Sequence, residues 1–279
     1  MANPSPSKSS AAANVGNDGE PVDKIQRGNY TFSTAGTATW IGLRVLDPFI
    51  QYNLLFRGAG DNILTRIGVT TTSSVLAGSS SALSKPRCIL LGMSAAAVAK
   101  HIYWILGLNQ EYFPPSFATF ISAFNLAFDT TATFLLLSSK TSAALSEPQI
   151  SIPYTNGLSL PLNVVVGTLM FSAGLLVETV AEVQRKWFKK DPKNKGKIFT
   201  GGLWRLARHI NYGAYTIWRG GYMLAAGGWA PCVILMAFLL RDFLSNSIRG
   251  MDKYMGGKYS EQWEEYKARV PWLMFPGIF

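Results

Sequence analysis

Charge is scarce in this chain. Asp, Glu, Lys and Arg make up 15% of its 279 residues, against roughly 25% in an ordinary soluble domain. Histidine occurs at His101 and His209 alone, and cysteine at Cys88 and Cys232 alone. So few soft ligands exclude a His-rich or Cys-rich metal centre. Both cysteines lie in apolar runs and read as small hydrophobes, not as a disulfide framework. No HExxH, CxxC, GxSxG or GxxxxGK[ST] pattern occurs. The glycines Gly58 and Gly60 lack the third glycine and downstream acid of a dinucleotide fingerprint. Residues 1–35 are short of apolar residues and read as a disordered tail without a signal-peptide core.

Apolar sequence is abundant. Hydrophobic residues make up 48% of the chain, and mean hydropathy is +0.15 despite the polar beginning. About 17–25 apolar residues cross a bilayer as a helix. Stretches 38–56, 88–108, 117–137 and 160–184 meet that length, followed by 212–229 and 230–248, broken at Pro231. Residues 64–82 are small and hydroxyl-rich, which suits close helix packing. The pattern predicts an all-α polytopic membrane protein of about five to seven spans, one domain over 36–279.

Net charge is +10. In such a chain the excess belongs to cytosolic loops and implies no nucleic-acid partner. Lys and Arg crowd 185–197, whereas 139–160 holds only Lys140. The positive-inside rule places 185–200 and the C-terminus in the cytosol.

Ionisable groups within or beside spans are functional candidates, because desolvating them is costly. Arg44 and Asp47 stand three apart and can pair. Arg185 and Lys189 share a helix face, as a phosphate clamp or as snorkelling anchors. Glu178 and Glu182 share another, for ion pairing or for a cavity. Asn125 and Asp129 do the same in 117–137, lining a pocket or joining helices. His101 reads as a packed core histidine. Trp204, Arg205 and Trp218 read as interfacial anchors. Arg208, His209, Asn211 and Tyr212 form a compact donor-rich group beside Gly213, and Arg suits bidentate phosphate binding.

"GLWRLARHINYG" (202–213) and "KYSEQWEEYKARVPWLMFPGIF" (258–279) resemble the sterol reductase and steroid 5α-reductase-like (DUF1295) membrane family. The first resembles its GLW-x-x-x-RHPNY-x-G motif, and the second its W…Y…VPY…PGIY ending. "RKWFK" (185–189) resembles an element on the same family's cofactor-facing helix. The resemblance covers about 178–279. It implies that the C-terminal helices form a cytosol-facing cleft for NADPH, with a lipophilic substrate entering from membrane lipid of the endoplasmic reticulum. Carried over by position, Arg185, Lys189, Arg208, His209, Asn211, Tyr212, Arg249, Asp252, Tyr259 and Tyr266 would hold cofactor. Tyr212, Glu178 and Asp129 are the candidate catalytic residues for reducing a C=C bond in a sterol or other isoprenoid-derived lipid. The sequence departs from the motif at Ile210, at Ala214 and Tyr215, and at Gly250, Met251 and Asp252. These departures leave open a non-redox isomerase or cyclase, or an S-adenosylmethionine-dependent lipid or prenyl-cysteine methyltransferase. No metal is implied.

Overall fold

The structure is a computed structural model describing residues 29–76, 80–153 and 159–279. The expected tail lies outside these residues except for its last few positions. Among the described residues the fold is an all-α bundle with one small hairpin. The helices are α1 (Thr34–Phe56), α2 (Ala59–Arg66), α3 (Thr72–Val75), α4 (Ser80–Tyr103), α5 (Pro115–Leu137), α6 (Leu162–Lys190), α7 (Ile210–Gly227), α8 (Trp229–Asp242), α9 (Ile248–Tyr259) and α10 (Glu261–Arg269). Strands β1 (Gln149–Ser151) and β2 (Ser159–Pro161) pair antiparallel.

Local chemistry explains the starts and stops. Ser33 caps α1, its Oγ accepting from the Gly36 amide at 3.1 Å, which satisfies an otherwise orphaned donor. Pro115 opens α5 at a position where its missing N–H is not needed. Residues 64–82 do not form the single packing helix expected. α2 ends at Arg66, and Thr71 caps the four-residue α3 by accepting from the Ser74 amide. Hydroxyl side chains compete for backbone groups, so they favour caps and turns over a helix interior. The expected break at Pro231 also moves. The chain turns at Gly228, and Pro231 is tolerated in the first turn of α8.

The bundle has two ends. At one, the basic end, residues 105–113 meet the start of α1 and the end of α6, and the C-terminal tail meets the start of α7. At the other, Thr71 bridges Ser138 and the hairpin joins α6. Among the described residues six rods run between the ends: α1, α4, α5, α6, α7, and α8 continued into α9. Segments Leu83–Leu108, Pro115–Leu137, Leu162–Lys190 and Trp229–Tyr259 are long and apolar enough to cross a membrane. Leu46, Phe49, Leu106, Leu169, Leu176, Val233 and Ile234 point outward and exposed, an apolar coat suited to lipid. The protein is an integral membrane protein. α1 and α7 carry mid-helix charges, Arg44 with Asp47 and Arg219, all buried. Polar groups at membrane depth are tolerated where protein sheathes them.

α7 is the centre. Trp218, Arg219, Tyr222 and Leu224 are buried, and its most extensive neighbours are α6 and α8. Its contact with α6 is backbone on backbone. A Cβ at Gly174 would lie 2.7 Å from the Ala214 carbonyl oxygen and 2.7 Å from the Trp218 amide nitrogen. Small residues permit this approach, which drives helix association in lipid. Gly174→Ala is expected to destabilise the protein by about 1–3 kcal/mol through overpacking. A lowered Tm in detergent checks this, with the exposed and uncrowded Gly42→Ala as the neutral comparison.

Candidate functional site

The site begins with how the motif folds. Arg208 and His209 lie in the turn that leads into α7, and their amides donate to the carbonyls of Trp272 and Leu273 at 3.0 and 2.8 Å. The C-terminal tail therefore folds back and docks on the motif. A Cβ at Gly213 would lie 2.4 Å from the Met274 carbonyl oxygen, so glycine leaves room for the tail. Arg208 Nη1 donates to the carbonyls of Val270 and Pro271 at 2.6 and 3.0 Å. Tyr266 donates to the Trp204 carbonyl at 2.6 Å, and burial holds its phenol well above the ordinary tyrosine range. The two stretches that share the family resemblance are thus two halves of one interface.

Around that interface stands a layer of aromatic and charged groups. His209 stacks on Tyr212 and Tyr212 on Phe243, with ring centroids 5.6 and 4.8 Å apart. Trp263 lies edge-on to His209 at 6.4 Å. Asn211 donates to Glu182 at 3.0 Å, and Glu182 also pairs with Arg185, whose guanidinium lies over the Trp204 ring at 4.9 Å. Lys189 donates to the Tyr259 hydroxyl at 2.7 Å. Lys189 and Lys258 stand over the Tyr259 ring at 4.7 and 5.6 Å, and neither is ion-paired with a carboxylate among the described residues.

Several buried atoms in this layer lack hydrogen-bond partners: Arg208 Nε, His209 Nε2, Asn211 Oδ1, Asp252 Oδ1 and Trp263 Nε1. The last two elements of the His209–Asp252 pair stand 4.0 Å apart, Nε2 to Oδ1, too far for a hydrogen bond. Unpaired buried polar groups are costly. Here they offer donors and acceptors to a polar ligand, and the lysines offer charge for phosphates. The residues present therefore suit a ligand that carries phosphate and further polar groups. A surface recess lined by Trp187, Lys190, Asp191 and Pro192 contains none of these groups.

Burial pushes the His209 imidazole down to about 3, aided by the positive charges of Arg208 and Arg185. In the unfolded chain the ring titrates near 6.5. Between these values the unfolded chain holds the extra proton. His209 thus leaves stability whole above about pH 6.5 and erodes it as pH falls toward 3, by at most about 1.4 kcal/mol per pH unit. Tm measured against pH in this window should fall less steeply for His209→Gln.

Deeper in the bundle are two further polar layers. Glu178 pairs with Lys100 and accepts from the Trp218 indole at 2.7 Å. Below it, Arg219 donates to Asp129 at 2.7 Å and to Asn125, while its guanidinium lies over Trp218 at 4.3 Å. Asp129 also faces Arg44 at 3.6 Å. Arg44 pairs with Asp47 at 2.7 Å, and Gln51 connects Asp47 to Thr133.

Nine of the expected cofactor residues gather at the basic end: Arg185, Lys189, Arg208, His209, Asn211, Tyr212, Asp252, Tyr259 and Tyr266. Arg249 is exposed on α9 and joins none of these contacts among the described residues. The catalytic candidates Tyr212, Glu178 and Asp129 occupy three successive layers, not one cluster. Trp204 and Trp218 are buried and hydrogen-bonded, so they do not serve as the interfacial anchors expected of them. Trp218 lies on the central rod α7, and Trp204, in the turn Gly202–Arg205, packs on Ala181 of α6. His101 is packed between Trp40 and Trp218 as expected, but its Nδ1 has no partner. The sequence reading passed over Arg219 as a site residue. Its signal was an arginine in the middle of an apolar segment.

The family model described as protein of unknown function (DUF1295) matches residues 121–270. The chain is 37% identical over 83% of its length, and 82% of the relative's, to the Probable O-methyltransferase ustE of Ustilaginoidea virens. It is 30% identical to the Delta(14)-sterol reductase of Arabidopsis thaliana over 42% of this chain, spanning 34% of that protein. It is 36% identical to the 7-dehydrocholesterol reductase of Danio rerio over 31% of this chain, spanning 18% of that protein. Helical architecture, the docked tail and these matches agree: the chain belongs to the DUF1295, steroid 5α-reductase-like family of membrane proteins.

Proposed function

We propose that the protein is a membrane-embedded reductase that uses NADPH to reduce a C=C bond in a sterol or other isoprenoid-derived lipid. The observation that carries this reading is the pair Lys189 and Lys258 converging on Tyr259 without a carboxylate, beside unpartnered buried donors and acceptors. A dinucleotide brings several negative phosphates, and cations at a partly desolvated site bind them strongly. Lys189 and Lys258 would meet phosphates. His209, Asn211, Asp252 and Trp263 would take up the polar edges of the nucleotide, and Tyr259 and Tyr266 close the wall. Bound there, the cofactor supplies a hydride.

The partner proton has one suitable source among the three candidates. Glu178 is engaged by Lys100, and Asp129 by Arg219 with Arg44 facing it, so both are held in ion pairs. Tyr212 is a phenol stacked on a neutral imidazole. It is the proposed donor. The basic end faces the cytosol by the positive-inside rule, and residence in the endoplasmic reticulum is what the family resemblance implies.

A second reading is S-adenosylmethionine-dependent methyl transfer, favoured by the relative named an O-methyltransferase, which matches over 82% of its own length. Charge separates the two. S-adenosylmethionine carries a sulfonium and no phosphate, so a basic wall favours NADPH. Titration of the purified full chain with each cofactor decides between them. Saturable NADPH binding without S-adenosylmethionine binding is expected. The reverse result establishes methyl transfer, and binding of neither leaves the non-redox isomerase or cyclase.

A further inference from the structure

The deepest polar layer carries a binding site of its own. Its charged members are Arg44, Arg219, Asp47 and Asp129, each at most 1% exposed. Groups of both signs already face one another here. Bringing a further charge into such a medium is costly, so the layer suits a neutral ligand. The layer nevertheless has unused hydrogen-bonding capacity. Arg44 Nε and Nη2 and Asp129 Oδ2 have no hydrogen-bond partner. Nη2 and Oδ2 stand 3.6 Å apart, whereas a direct charge-assisted bond closes to about 2.7–2.9 Å. An oxygen about 2.8 Å from each fits astride that gap. It must accept from the arginine and donate to the carboxylate, which a hydroxyl does. His101 Nδ1, also buried and unpartnered, lies within electrostatic reach of both guanidiniums. Trp218 and Phe128 present rings to Arg219, an apolar setting for the rest of a ligand.

We propose that this layer binds the hydroxyl group of a neutral, otherwise apolar ligand, a lipophilic alcohol or phenol, with its oxygen between Arg44 and Asp129. That this ligand is the substrate rests on the reductase reading; the binding itself does not. The test uses the full chain in detergent without cofactor, titrated with 2-naphthol and with its methyl ether, 2-methoxynaphthalene. Naphthol is expected to bind about tenfold tighter, the worth of a hydrogen bond to charged groups. Equal affinities mean that water fills the gap, and overturn the proposal. Arg44→Lys keeps the charge and loses Nε and the guanidinium fork, and it should abolish the preference. A preference that survives places the hydroxyl elsewhere and also overturns it. Should Arg44→Lys fail to fold, the charge-neutral pair Arg44→Met with Asp47→Leu is read by the same two outcomes. Hydroxyl selectivity with no NADPH binding would overturn the cofactor reading and leave this site standing.

Discussion

Replacing Arg219 by leucine is expected to unfold much of the protein at temperatures the native chain survives. Arg219 is 1% exposed and holds Asp129 at 2.7 Å. Its removal leaves a fully buried carboxylate facing Arg44 at 3.6 Å, and Arg44 is already engaged by Asp47. Breaking one side of a buried ion pair costs about 3–5 kcal/mol, because the remaining charge stays desolvated. For a chain of this size that is a Tm loss on the order of 10 °C. The double variant Arg219→Leu with Asp129→Leu removes both charges and leaves Arg44 with Asp47. It should recover most of the loss, since replacing a whole buried pair by apolar groups is often neutral or stabilising. Thermal denaturation of the three proteins in one detergent checks this. A single variant as stable as the native chain would show that Asp129 takes up a proton or finds another cation.

The joint variant Lys189→Ala with Lys258→Ala is expected to lose about two orders of magnitude in NADPH affinity, from roughly 1.4 kcal/mol for each phosphate contact. The lysines flank one ring and reach it from different helices, so each single variant should lose about tenfold. Binding of the native protein should weaken with salt, as interactions between partly exposed charges do. The double variant should show a flatter salt dependence. Both lysines lie at the rim of the fold, Lys258 exposed and Lys189 half-buried, so Tm should change little. An unchanged affinity would remove phosphate from this wall.

Most of the architecture was legible because hydropathy adds along a chain. The spans at 88–108 and 117–137 fall within α4 with its π-helical extension and α5, and 160–184 matches α6 from Leu162 onward. Their side chains settle locally whether a segment leaves water. The stretch 64–82 was misjudged because its hydroxyls cap and bend the backbone, which composition alone does not reveal. The break between α7 and α8 was placed three residues late, at Pro231 and not Gly228, because proline is tolerated in a first helical turn.

The site was legible only in part. The motif at 202–213 and the tail at 258–279 announced themselves through residue types. Their physical link, main-chain bonds from Arg208 and His209 to Trp272 and Leu273, is invisible in a linear pattern. Arg208 shows the difference. Its residue type suggested a phosphate fork, and the fold spends Nη1 on carbonyls of the tail, leaving Nε unpartnered.

By itself the sequence determined the helical membrane class, the basic end and most of the residues that gather there. These follow from burial preference and charge density, which are sums over neighbours in the chain. Only the tertiary structure decided which charge answers which. Arg219 meets Asp129 across 90 positions of sequence, and Lys100 meets Glu178 across 78. An ion pair in a medium of low dielectric depends on separation in space, and helix packing alone sets that separation.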